Sequence, residues 1–149
     1  MKPATFVIPL FILSALFFTD KYGLGQEKQE PLFEKTIKKY YGGFENKDWK
    51  QVADQLADDF TFTSPAPDDH IKTDEFKTKC WPQAEHIRHF EFIKIMGNRD
   101  EAFAIIHVIT MDNKIIRNTE YFSFNNNGRI RSIEVFFGGN GQGYPTNVK

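Results

Sequence analysis

A carboxylate set among aromatic residues is the arrangement in this sequence with the most chemical content. The stretch from Ile115 to Asn125 alternates as a strand does, and it places Glu120 two residues from both Asn118 and Phe122. Side chains at i and i+2 share a face of a strand, so Asn118, Glu120, Phe122 and Phe124 point together. Just before it, Ala102 to Met111 alternates as well, and Asp112-Asn113 has the composition of a two-residue hairpin turn. On that turn Met111 pairs with Lys114, so His107 lies opposite Asn118 and Ile105 opposite Glu120. One face then gains Phe103, Ile105, His107, Ile109 and Ile116. The other carries Ala102, Ala104, Ile106, Val108, Arg117, Thr119, Tyr121 and Ser123. The first face is bulkier and more aromatic, and the expectation is that it forms the interior. A carboxylate enclosed there is costly to ionise unless it is paired, and burial raises its pKa. That is the condition of a general base or acid working near neutral pH. Glu120 and His107 are therefore candidate catalytic residues. The bland reading is that Glu120 pairs with His107, Arg88 or Arg131 as a purely structural group.

Three further places hold reactive residue types. Asp69 and His70 follow the loop Ser64-Pro65-Ala66-Pro67 and form a candidate acid–base pair, with a solvated turn as the alternative. Glu134 depends on the turn at Asn126-Asn127-Gly128. With three loop residues and Gly in the left-handed position, Glu134 lies opposite Glu120 inside. With a two-residue turn it faces outward, towards Arg117, and Arg131, Ile133, Val135 and Phe137 line the interior. The sequence leaves both open, because a one-residue slip reverses every side chain. Cys80 is the only cysteine and reads as a small buried hydrophobe, which also leaves no intramolecular disulfide. His86 and His89 at H-x-x-H spacing fall on opposite faces of a strand, and no other metal-ligand spacing stands out, so neither a metal nor a cofactor is expected.

The elements that must position these groups follow from periodicity. Leu32, Phe33, Ile37, Tyr40, Tyr41 and Phe44 recur at helical spacing, predicting a helix from about Pro31 to Tyr41 closed by Gly42-Gly43. Asp48 caps a second helix with Trp49, Val52, Ala53 and Leu56 on its inner face. Phe60 to Thr63 is a short strand. Thr73 caps a third helix through Phe76 to about Trp81, stopped by Pro82. Four strands then follow, Ile87–Met96, Ala102–Met111, Ile115–Asn125 and Arg129–Phe137, joined by short turns that force an antiparallel meander. Helices followed by a meander is an α+β arrangement with the helices on one face of the sheet.

The N-terminus reads as an export signal. Met1-Lys2 is a positive start, Pro3 to Phe18 carries no charge, and Asp20-Lys21 ends the run. The run is shorter than the roughly 20 apolar residues of a membrane span and matches the apolar region of a signal peptide. Gly23 and Gly25 place cleavage after Gly25. The expected organisation is a signal peptide over 1–25 and one domain over 26–149, with its core at about 32–138 and a Gly/Asn-rich tail over 139–149. The location is secreted or periplasmic, with no membrane association after cleavage. An uncleaved anchor or a first core helix is the other reading, but a core helix would be amphipathic. The net charge of -1 with interspersed signs offers no basic field for nucleic acid. Sixteen Phe in 149 residues supply a bulky core or a ring-walled pocket.

Several local phrases resemble a known family. Tyr41-x-x-Phe44-x-x-x-Asp48-Trp49, then Ala57-Asp58-Asp59-Phe60-x-Phe62-x-Ser64-Pro65, is similar to the start of SnoaL-like domains of the nuclear transport factor 2-like superfamily. Arg117-Asn118-Thr119-Glu120-Tyr121-Phe122, then Asn127-Gly128-Arg129-Ile130 and Glu134-Val135-Phe136-Phe137-Gly138, resembles that family's final hairpin. The resemblance implies a cone of about three helices closing a curved antiparallel sheet around a pocket. It implies either a carboxylate or His–Asp base in an apolar cavity, of isomerase, cyclase or dehydratase type, or a non-catalytic binding or dimerisation module. Glu120, His107, Asp69 and His70 stand at the matching catalytic places, with Tyr41 as a donor to a developing oxyanion. Phe60, Phe62, Phe76, Trp81, Phe90 and Phe122 would be walls, with Asn118 and Glu134 beside the ligand. The implied partners are a small apolar or cyclic molecule and a second copy bound through the sheet.

Overall fold

The structure, a computed structural model, describes residues 29–65 and 68–137. The expected export signal, its expected cleavage site and the tail over 139–149 lie outside the described residues.

The first helix, α1, runs Leu32–Asn46 and buries Ile37, Tyr40, Tyr41 and Phe44, the 3.6-residue stripe read from the sequence. It passes through Gly42-Gly43, where the sequence predicted its end. A Cβ on Gly43 would stand 2.5 Å from Val52 Cγ2, so this glycine serves close approach between helices and not termination. Closure comes at Lys47, which adopts the left-handed conformation with φ 57°. Asp48 then caps α2, Trp49–Ala53, by accepting from the Gln51 N–H at 3.1 Å. Leu56, predicted on this helix, instead opens strand β1, Leu56–Thr63. The Lys47 ammonium donates to the carbonyls of Phe44, Ala84 and Ile87 and ties the end of α1 to the start of the sheet. Lys47→Met removes those bonds while keeping the apolar stem. It is expected to lower stability by about 1–3 kcal/mol in chemical denaturation; an unchanged midpoint would show the clasp to be idle.

Helix α3 covers Thr73–Lys79, with Thr73 as its first residue and no side-chain cap. A 3₁₀ turn over Trp81–His86 leads into β2 (Ile87–Gly97), β3 (Glu101–Thr110), β4 (Ile115–Phe124) and β5 (Ile130–Phe137). The sheet order is β1-β5-β4-β3-β2. The last four strands form the expected antiparallel meander, while β1 joins its edge parallel to β5. Register shifts occur within β2, in the β4–β5 ladder and in β1, and bulges of this kind bend a sheet. Inside the curve, Phe76 meets Phe44, Phe60 and Phe62, and Tyr41 meets Phe90, Phe92 and Phe122. No helix among the described residues is long and apolar enough to cross a membrane.

Two register details decide which side chains face inward. The β3–β4 connection has three residues. Thr110 N–H donates to the Lys114 carbonyl, Asn113 N–H donates to Thr110, and Asn113 takes φ 64°. His107 is therefore paired with Arg117, not Asn118, and β3 is inverted relative to the sequence expectation. Ala102, Ala104, Ile106 and Val108 are buried, while Phe103 and Ile105 face out. The physical reason is volume. Ala102 pairs with Phe122 and Ala104 with Glu120, and rings from α1 fill the space above, so β3 can contribute only small side chains there.

The β4–β5 turn takes the three-residue form. Asn125 N–H donates to Arg129, Gly128 N–H donates to Asn125, and Gly128 sits at φ 73°. A bulge then reverses its consequence. Phe124 pairs with Ile130 but Ser123 pairs with Ser132, so Arg131 is the extra residue. Ile133 and Val135 return to the interior, and Glu134 pairs with Tyr121 on the outer face. The inward placements of His107 and Glu134 are thus corrected.

Candidate functional site

Between the helices and the concave face lies a cavity of about 440 Å³. Strand β4 delivers Asn118 and Glu120 to it, because both lie on the face shared with buried Phe122 and Phe124. Helix α1 supplies Tyr40, Tyr41 and Phe44 from one stripe. Phe62, Phe76 and Phe90 close the other sides. Ser64, Asp68, Gln83, His86 and Thr110 make a more exposed, polar rim.

Glu120 is the buried acid of this space, at 7 % exposure. Removal from water pushes its carboxyl up to about 7, while the Tyr41 hydroxyl and the Asn118 amide pull it part of the way back. Among the described residues no Arg, Lys or His contributes, and the three structural partners considered from the sequence lie elsewhere: Arg88 contacts Asn113, His107 pairs with Glu91, and Arg131 borders a groove beside Glu134. Tyr41 Oη lies close enough to act on the carboxylate, yet it makes no hydrogen bond of good geometry, and neither does Asn118 Oδ1. Burial, reinforced by the charge of Glu120, raises the pKa of both Tyr40 and Tyr41, so they remain protonated. The site is a titratable carboxyl, backed by enclosed polar groups and open to an apolar space. Such a group can take up a proton near neutral pH.

The other sequence candidates fall elsewhere. His107 lies on the outer sheet face, its Nδ1 3.1 Å from Glu91 Oε2. Asp69 and His70 are exposed and paired at 2.5 Å. His70 borders a shallow polar groove of about 270 Å³ on the outer face, with Thr61, Thr63, Arg131 and Glu134. Phe60 and Phe122 are fully buried core residues, and Trp81 packs on Phe44 and Trp49; none of the three lines the cavity. Sequence reasoning missed Tyr40, Asp68, Cys80, Gln83, His86 and Thr110. Asp68 is held at the rim by the Ser64 N–H, which donates to its carbonyl at 2.9 Å. Cys80 borders the cavity, but burial pushes its thiol up to about 11, which makes it a poor nucleophile. His89 is held by Glu45 at 2.9 Å, away from His86. Among the described residues no three His, Cys, Asp or Glu side chains gather in a way that could hold a metal ion.

Comparison with known proteins agrees with this fold. The family profile described as the SnoaL-like domain matches residues 37–133. No curated protein matches the chain. Among solved structures, a protein of unknown function with a cystatin-like fold from Methylobium petroleophilum is similar at TM-score 0.64 and 18 % identity, covering 72 % of this chain and 76 % of that one. A protein provisionally described as an isomerase, from Rhodopseudomonas palustris, is similar at TM-score 0.59 and 13 % identity, covering 74 % and 91 %. AclR from Streptomyces galilaeus, provisionally described as a hydroxylase, gives TM-score 0.59 at 12 % identity, covering 70 % and 77 %. At such identities the likeness is one of fold.

Proposed function

The chain belongs to the SnoaL-like domain family, and from that premise we propose that its cavity binds a small apolar or cyclic carbonyl compound and that Glu120 acts on it as a general base. The observation that carries this reading is the Glu120 carboxyl, without a cationic partner among the described residues and raised to about 7, in a cavity of about 440 Å³. A base is most effective when its pKa lies near the working pH. Glu120 takes the proton from a C–H bond next to the carbonyl, and the electron pair of that bond passes into an enolate. Where a C=C bond is conjugated with the enolate, Glu120 returns the proton to the far carbon and completes an isomerisation; where a hydroxyl stands on the β carbon, its C–O bond breaks, it takes the proton from Glu120 and leaves as water, which completes a dehydration. Tyr41 and Asn118 act through the carboxylate as positioning residues, because both favour its charged form. The test is α-hydrogen exchange of cyclic ketones in D₂O, followed by proton NMR. Exchange above the buffer rate by the wild-type protein supports the reading, and buffer-rate exchange of a ketone that demonstrably binds overturns it.

The apolar run Pro3 to Phe18 supports export ahead of this activity. The outer sheet face supports self-association. Met96, Phe103, Ile105 and Phe136 are 39–53 % exposed there, and Glu91, Lys94, Arg117 and Glu134 border them. An apolar patch with a polar rim marks an interaction surface. Wild-type protein is expected to elute as a dimer in light-scattering chromatography, and Phe103→Asp as a monomer with unchanged circular dichroism. A monomeric wild type at the highest attainable concentration would remove the dimer.

A further inference from the structure

The acidic and basic residues of the cavity's described lining are unevenly divided. Its described lining holds two carboxylates, Glu120 inside and Asp68 at the rim, and no lysine or arginine. Asp68 meets Lys79 at 3.2 Å, but that ammonium stands outside the lining and is 45 % exposed. Glu120 has no cationic partner among the described residues. From α1 it faces Tyr40 and Tyr41, and on its own strand Asn118. The other titratable groups of the lining are Asp68, Cys80 and His86. Six rings enclose the space: Tyr40, Tyr41 and Phe44 from α1, Phe62 from β1, Phe76 from α3 and Phe90 from β2.

Aromatic faces attract cations, the more so when desolvated. A buried carboxylate is stabilised by a counter-ion and destabilised without one. Among the described lining residues an anionic ligand would meet the Glu120 carboxylate and the Asp68 carboxylate, which Lys79 pairs from outside, and no lysine or arginine. We propose that the cavity selects ligands that carry a protonated amine on an apolar skeleton, with the Glu120 carboxylate as counter-ion and the rings as a cage. This rests on the reading of the cavity as a small-molecule pocket and names its ligand class. A carboxylate has two oxygens, so pairing with an ammonium leaves one to face the neighbouring C–H bond.

The experiment is calorimetric titration of the protein with three matched probes: 1-adamantylamine, 1-adamantanol and 1-adamantanecarboxylate. At pH 8 the amine is expected to bind at least tenfold more tightly than the alcohol, and the carboxylate most weakly. Between pH 8 and pH 6 the amine remains charged while Glu120 takes up its proton, so amine affinity should fall about tenfold and alcohol affinity should hold. In Glu120→Gln the amine preference and its pH dependence should vanish, with alcohol affinity retained as evidence of an intact cavity. His86→Gln removes the histidine of the described lining, and the pH effect should survive it. Binding of the carboxylate as tight as the amine, or an amine preference unchanged in Glu120→Gln, would overturn the proposal. If none of the three probes binds, the small-molecule reading fails and the proposal with it. If neutral ketones exchange their α-hydrogens while amines show no preference, the base reading stands and this proposal alone falls.

Discussion

Glu120→Gln is expected to lower α-hydrogen exchange by roughly 10²- to 10⁴-fold, the usual contribution of a positioned general base. Gln keeps the volume and the hydrogen-bonding length of the side chain, so binding of a neutral ketone should change little and the loss should fall on the chemical step. The pH profile carries the sharper information. In the wild type, activity requires the ionised carboxylate and should rise tenfold per pH unit on the acidic side, levelling above about pH 7, where Glu120 titrates. An ordinary exposed glutamate would place that limb near pH 4.3. The variant should lose the limb altogether. Exchange that persists in Glu120→Gln with the same pH dependence would transfer the role to another group, and Asp68 at the rim would be the first to substitute.

The same substitution should stabilise the protein, but only in part of the pH range. Glu120 titrates at about 7 in the folded chain against 4.5 in its ordinary state. Below 4.5 the side chain is protonated in both states and burial is tolerated. Between these values the folded state holds a proton that the unfolded state has released, so stability falls as pH rises. Above about 7 the whole difference is present, about 3 kcal/mol of destabilisation at 1.36 kcal/mol per pH unit. Gln resembles the protonated acid at every pH. The variant should therefore match the wild type near pH 4 and exceed it by about 3 kcal/mol at pH 8, which is about 10 °C in Tm for a chain of this size. A constant difference across the range would mean that Glu120 is hydrated or paired in solution. A gain in stability joined to a loss of activity is the expected signature of a strained functional group.

Much of the fold was legible because it rests on local rules. The α1 stripe of Ile37, Tyr40, Tyr41 and Phe44 lies at helical spacing, and Asp48 caps as its chemistry requires. Gly42-Gly43 misled because a glycine that lets two helices touch has the same sequence appearance as one that ends a helix. Tyr41, Phe62, Phe76, Phe90, Asn118 and Glu120 all reach the cavity, since each sits on an element whose inner face its own periodicity shows.

What the chain determines by itself is therefore the set of elements, the order of the meander and the apolar face on which Glu120 lies. The relation between neighbouring strands was decided only in three dimensions. A turn of three residues instead of two moved His107 out of the interior, and a bulge at Arg131 moved Glu134 out despite the three-residue turn. Both outcomes have one physical cause. Turn length and bulges are adjusted until the interior is filled without overlap, and rings from α1 left room beside Phe122 and Glu120 only for Ala102 and Ala104. That same packing left Glu120 without a cationic neighbour among the described residues, the condition on which its proposed chemistry depends.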